Sequence, residues 1–146
     1  LPGTAADLGA NYNLPSDDKA LSLPENNLAL GQQFLKELAG KRQTGGLLPK
    51  VIAAYNAGPS PVGRWNEEIK DQGDPLLYME SIPYSETRAY VGIVLRNYWM
   101  YEAQAGIESQ SAFGLAQGLW PKFPDADGIK LVRIYGGQDR GNLSGD

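Results

Sequence analysis

Ala53-Ala54-Tyr55-Asn56-Ala57-Gly58-Pro59 is the stretch whose reading decides the fold. Just before and into it, Leu48, Val51, Ile52 and Tyr55 fall at i, i+3, i+4 and i+7, one face of a helix over 47–55. Gly58 and Pro59 stop that helix. The stretch continues through Val62, Arg64 and Trp65, and a second one follows from Met79 to Val91, Met-Glu-Ser-Ile-Pro-Tyr-Ser-Glu-Thr-Arg-Ala-Tyr-Val. Both mix apolar and hydrogen-bonding residues where helices end, where backbone and side chains can face a cleft. Each residue also has a plain structural reading. Tyr55 suits a core aromatic with a satisfied hydroxyl, and Asn56 suits a helix cap. Glu86 and Arg88 suit a helix start and a surface ion pair, Glu80 an exposed carboxylate, and Trp65, Trp99 and Trp120 core positions.

Outward from this centre the pattern stays helical and broken. Thr4 and Asp7 resemble a capping box for a short helix over 5–9, and 10–23 reads as a polar surface loop. Pro24 and Glu25 suit a helix's first turn, Leu28, Phe34, Leu35 and Leu38 supply its apolar face, and Gly40 lies near its end. After the Gly45-Gly46 break come the helix just described, a third short helix over 62–69, and a polar turn at Asp71-Gln72-Gly73. The longest helix spans 86–104, with Ser85 as N-cap, Glu86 in the first turn and Gly106 beyond the end. Its apolar stripe is Val91, Val94, Leu95, Tyr98 and Trp99. Beyond it, 131–135 reads as a short strand or packed extended segment, and the chain from Gly136 onward as a frayed end.

Bulk composition narrows the chemistry. With 146 residues, 42% hydrophobic and 21% charged, the chain is the size of one folded domain. Its net charge of -4 and the absence of any dense Lys/Arg cluster argue against nucleic acid as a partner. There is no histidine and no cysteine. A Ser-His-Asp triad, a thiol nucleophile and His- or Cys-ligated metals are therefore excluded within the chain. Acid–base work falls to Asp, Glu, Tyr or Lys. No apolar run reaches the length of a membrane span.

Taken together, the two stretches resemble the soluble lytic transglycosylases, family 1, whose domain is similar to goose-type lysozyme. Those enzymes carry AYNAGP-x-x-V-x-x-W followed by E-x-I-P-(F/Y)-x-E-T-R-x-Y-V. Tyr55 to Pro59, Val62 and Trp65 match the first, and Glu80, Ile82 to Tyr84, Glu86 to Arg88, Tyr90 and Val91 match the second. Leu1-Pro2-Gly3-Thr4-Ala5 resembles the tail of the family's G-L-M-Q-x-x-P-G-T-A element. The resemblance covers residues 1–105, a transglycosylase domain lacking its N-terminal catalytic segment, with 106–146 as a C-terminal extension. It implies an all-α, lysozyme-like fold with a glycan cleft.

The resemblance also implies a mechanism. One glutamic acid protonates the glycosidic oxygen between N-acetylmuramic acid and N-acetylglucosamine. The muramic 6-hydroxyl then closes on the anomeric carbon, so the product is a 1,6-anhydromuropeptide and no water is added. This needs one carboxyl with a raised pKa, in place of the carboxylate pair of ordinary glycosidases. In the family that glutamate opens an E-S-x-(F/W) element before G-L-M-Q, which would fall upstream of Leu1, so the chain alone is expected to be inactive. Of the residues present, Tyr55 matches the tyrosine that positions the acid and Asn56 an asparagine beside it, with Ala57 next in the same element. Glu80 matches a glutamate that hydrogen-bonds sugar, and it is the substitute acid to consider first. Leu1 falls where the family often has Met against substrate. Pro59, Pro83 and Arg88 are expected to shape the walls, and Glu86 and Arg88 to form a structural pair. No cofactor or metal is implied. The implied partner is the peptidoglycan strand, in the periplasm or cell envelope of a bacterium. Without the segment that carries the acid, Val51, Ile52 and Val91 are expected to lose neighbours. The alternative is a glycan-binding module with no catalysis.

Overall fold

The computed structural model describes residues 24–136, with side chains from residue 31 onward. The predicted helix over 5–9, the loop over 10–23, the end after Gly136, and Leu1 all lie outside the described residues or at their edge. Six helices and a two-stranded ribbon make up the rest, in agreement with the all-α expectation.

Helix α1, Pro24–Ala39, opens on a proline, whose missing N–H costs nothing in the first turn. At its far end Gly40 N–H bonds the Lys36 and Glu37 carbonyls, and the buried Thr44 hydroxyl donates to the Leu38 carbonyl at 2.7 Å. These bonds close the last turn and reverse the chain. Helix α2, Leu48–Ala57, extends two residues beyond Tyr55. It is buried nearly all round: Ala53, Ala54 and Asn56 are covered as well as the stripe of Leu48, Val51, Ile52 and Tyr55. A helix covered on every side is a central helix. The two alanines leave room for neighbours to approach, and α2 packs on α1, α3 and α5.

Gly58 alone separates α2 from α3, Pro59–Glu68. At φ 93° and ψ 156° it takes a backbone shape that disfavours any side chain, and its N–H closes α2 on the Ala54 carbonyl at 2.7 Å. Pro59, read from sequence as a stop, also starts the next helix, three residues before the expected Val62. Both roles follow from its fixed φ and absent donor. Val62 and Trp65 are the buried residues of α3.

Helix α4, Pro75–Glu80, was not expected. Its start signal is complete, since the Asp74 side chain accepts from Leu76 N–H at 3.0 Å and Pro75 follows. Six residues are too few to show periodicity. Helix α5, Ser85–Gln104, matches the longest predicted helix, but Ser85 lies inside it. Tyr84 occupies the N-cap position and no side chain caps the end. Thr87, Val91 and Leu95 face the core.

The region after α5 joins the same core. Helix α6, Gln110–Ala116, is capped by Ser109, which accepts from Ala112 N–H. Strands β1, Trp120–Pro121, and β2, Leu131–Val132, pair antiparallel with Trp120 opposite Val132. Trp120 is buried and its indole N–H donates to the Gly73 carbonyl at 2.9 Å. Phe123 N–H bonds the Gly46 carbonyl, which ties this segment to the start of α2. Trp99 donates to Ser111 at 2.9 Å. All three tryptophans are thus packed rather than offered to a sugar. The expected loss of neighbours at Val51, Ile52 and Val91 does not occur. Each is fully or nearly fully buried, because α1, α3 and α5 converge on α2. Among the described residues, no helix is long and apolar enough to cross a membrane.

Candidate functional site

The last turn of α2 carries Tyr55 and Asn56 into the interior. Asn56 does not cap its helix, since Gly58 closes that end. Its carbonyl oxygen Oδ1 instead accepts from the Thr87 hydroxyl at 2.7 Å, a buried bond that ties α2 to the first turn of α5. Thr87, Tyr90 and Val91 stand at i, i+3 and i+4, so one face of α5 meets α2. Along that face the Tyr90 ring lies parallel to Tyr55, at 8° and 6.4 Å between centroids. Phe34 of α1 covers Tyr55 from another side at 5.7 Å. Thr87 and Tyr90 belong to the second motif but were given no role from sequence. Their shared helical face with Val91 is the signal that identifies them.

Gly31 brings α1 across the same tyrosine. A Cβ there would stand 3.0 Å from Tyr55 Cε2 and 3.2 Å from its hydroxyl. That hydroxyl is buried and has no hydrogen-bond partner among the described residues. Burial raises the Tyr55 pKa, and burial followed by the neighbouring Tyr55 raises that of Tyr90. Both are neutral phenols at ordinary pH. Tyr55 can donate or accept a hydrogen bond but cannot act as a base. An unpaired buried hydroxyl costs about 1–3 kcal/mol, so a partner at this point would be strongly held.

Glu80 is placed differently. It is the last residue of α4, exposed, with no hydrogen bond or ion pair among the described residues. Ala57 ends α2 half-buried beside Gly58. The turn from Ser81 to Tyr84 links Glu80 to α5. Ile82 is fully buried in it, and the Arg88 guanidinium donates to the Ile82 carbonyl at 2.6 Å. The expected Glu86–Arg88 pair is therefore absent: Arg88 reaches back to the backbone carbonyl, one turn before its own helix begins. So Tyr55 meets Tyr90 and Asn56 meets Thr87, with Ala57 next along α2, while Glu80 is exposed at the end of α4 and shares none of these contacts. No group of three His, Cys, Asp or Glu among the described residues could hold a metal ion.

A separate cavity lies elsewhere among the described residues. About 620 Å³ opens between α1, α2, α5 and the segment 123–129, with Leu35, Leu48, Ile52, Val94, Tyr98 and Ile129 among its walls. Tyr55, Asn56 and Glu80 do not line it. Its lining is mainly aliphatic and aromatic, and it lacks the polar cluster found one turn further along α2.

Against known proteins this geometry has a clear context. The transglycosylase SLT domain model matches residues 1–77, more than half of the 146-residue chain, and the chain belongs to that family. The match includes Tyr55, Asn56 and Ala57 and ends before Glu80. The soluble lytic murein transglycosylase of Escherichia coli K12 is 37% identical over 97 residues, 65% of this chain. That of Salmonella typhimurium is 36% identical over the same length. A Haemophilus influenzae protein that carries the name soluble lytic murein transglycosylase is 35% identical over 114 residues, 77% of this chain. These alignments span only 15% to 19% of the relatives' own lengths. No solved structure matches the chain.

Proposed function

We propose that this domain forms the supporting wall of a peptidoglycan lytic transglycosylase site. In this reading the parent protein cleaves the β-1,4 bond between N-acetylmuramic acid and N-acetylglucosamine without water, leaving 1,6-anhydromuropeptides. The observation that carries it is the buried Tyr55 hydroxyl, unpaired among the described residues and one position before the Asn56 that bonds Thr87, in a family whose relatives are named as murein transglycosylases. A neutral phenol held by Phe34 and Tyr90 is suited to fix one oxygen of a carboxylic acid, leaving the proton on the other for the glycosidic oxygen. In this reading that acid is the glutamate of the family's E-S-x-(F/W) element, a pattern that residues 1–146 do not contain. Glu80, exposed and with no side-chain partner among the described residues, is available to hydrogen-bond a sugar hydroxyl at the edge of the site. Action on peptidoglycan puts the parent protein in the bacterial periplasm or envelope.

The test is a digest of purified peptidoglycan, read by mass spectrometry for anhydromuropeptides. The chain alone and a chain extended upstream through the E-S-x-(F/W) element are compared. Anhydro products from the extended chain only are expected. Products from the chain alone would make Glu80 the acid to mutate. Glycan binding with no anhydro product from either form would replace this reading with a non-catalytic binding module.

A further inference from the structure

The turn that follows Glu80 carries a second feature that sugar chemistry does not use. Tyr84 is 45% exposed, and its ring stands edge-on to buried Trp65 at 5.0 Å and 85°. Its hydroxyl accepts from Arg64 Nη2 at 3.2 Å. Tyr84 is thus held at the ring by α3's tryptophan and at the hydroxyl by α3's arginine. The remaining Arg64 N–H groups have no partner among the described residues, and the guanidinium is exposed. Nearby, Arg88 is committed to the Ile82 carbonyl. Neither arginine has a carboxylate at ion-pair distance, although Glu80 and Glu86 flank the same turn; the one such pair among the described residues is Lys130–Asp125. A pre-oriented, un-neutralised guanidinium beside an exposed aromatic ring is a receptor for a planar anion on an otherwise apolar or neutral chain.

We infer that Arg64 and Tyr84 form a subsite for a free carboxylate of the peptidoglycan stem peptide. The inference rests on the glycan reading above, because it takes the site beside Glu80 as the path of the strand. The glycan backbone offers no charge here. In a stem-bearing strand the lactyl carboxyl is consumed in the amide to the peptide, so the free anions are those of the stem. The chain as a whole carries a net charge of -4, so attraction to an anionic stem must come from a local cation. Arg64 is that cation, and the Tyr84 ring gives the stem's aliphatic portion a surface to lie on.

The experiment measures binding of the chain to three ligands of equal glycan length by calorimetry or by chemical-shift titration. One is a muropeptide with free stem carboxylates, the second the same muropeptide with those carboxylates amidated, and the third a chitooligosaccharide. Arg64→Gln is expected to weaken the first by about threefold to tenfold, the range of an exposed guanidinium–carboxylate contact, and to leave the other two unchanged. Arg64→Lys should restore part of the loss and Tyr84→Phe should reproduce part of it. The preference for the free acid should shrink as salt is raised. If Arg64→Gln leaves binding of all three ligands unaltered, the subsite is wrong and the glycan reading stands. If the unsubstituted chain binds none of them, both readings fall.

Discussion

Tyr55 and Tyr78 are both buried tyrosines whose hydroxyls have no hydrogen-bond partner among the described residues. Burial raises the pKa of each, with Asp71 adding to the shift at Tyr78. Their surroundings differ. Tyr78 is fully buried, with its ring edge-on to Trp120 at 5.5 Å and the Lys50 ammonium 5.0 Å from its centroid. That ammonium donates to Asn66 at 2.8 Å, and Asn66 in turn donates to the Gln43 carbonyl. These contacts join α2, α3, α4 and β1 through Lys50, Asn66, Tyr78 and Trp120. Tyr55 instead lies between Phe34 and Tyr90, next in sequence to the Asn56 that bonds Thr87, with Gly31 of α1 facing its hydroxyl end. An unpaired buried hydroxyl alone therefore does not mark a site; what sets Tyr55 apart is that it lies within the residues matched by the family model, and Tyr78 does not.

The contrast can be broken most forcefully from the Tyr78 side. Trp120→Ala should cost about 3–5 kcal/mol of stability in denaturant unfolding, as for other fully buried large aromatics. A loss under about 1 kcal/mol would mean that the segment after α5 is an appendage and the Tyr78 layer is not core. On the other side, Thr87→Val keeps shape but leaves Asn56 Oδ1 buried without its donor. It should cost about 1–3 kcal/mol. An unchanged midpoint would dissolve the polar cluster on which the reading of Tyr55 depends.

The two tyrosines themselves give a sharper and smaller test. Tyr78→Phe and Tyr55→Phe each remove an unsatisfied buried hydroxyl, so each should leave stability unchanged or raise it by up to about 1 kcal/mol. They should part company in activity. In a chain extended through the catalytic element, Tyr55→Phe should slow anhydromuropeptide release on the order of tenfold to a hundredfold, as misplacing an acid does. Tyr78→Phe should leave the rate alone. Equal effects would remove the distinction.

The smallest effect is expected at Asp125. The Asp127 backbone N–H, then the Lys130 ammonium at 3.2 Å, hold its carboxyl below the usual carboxylate range. A lowered folded-state pKa stabilises above the unfolded value, and that contribution fades as pH falls through the folded one. Asp125→Asn should therefore differ slightly from the parent at neutral pH, and the two unfolding curves should merge in strong acid. A gap that widens with acid would reverse the assignment.

Much of this was legible in the chain. The periodicity of Leu48, Val51, Ile52 and Tyr55, the Gly58-Pro59 break, and the long helix ending before Gly106 are local signals, and local signals set helices. Short elements were not. Helix α4 has six residues and α6 seven, and neither is long enough for an apolar stripe to repeat. Residues with two compatible uses were also misread. Ser85 is a good cap in isolation, yet the helix takes it in as its first residue and Tyr84 stands outside. Arg88 could have paired with Glu86, but the Ile82 carbonyl lay closer to its guanidinium.

By itself the sequence determined the family, the central helix and the two motifs, because those depend on residue types at fixed spacings along one chain. Only the tertiary structure decided which polar groups meet. That Asn56 bonds Thr87, that Tyr90 stacks on Tyr55, and that Arg64 anchors Tyr84 are contacts between residues 20 to 35 positions apart. No local rule specifies such pairs. They follow from the packing of α2, α3 and α5 on one another, with Val51, Val62, Val91 and Leu95 buried in one core.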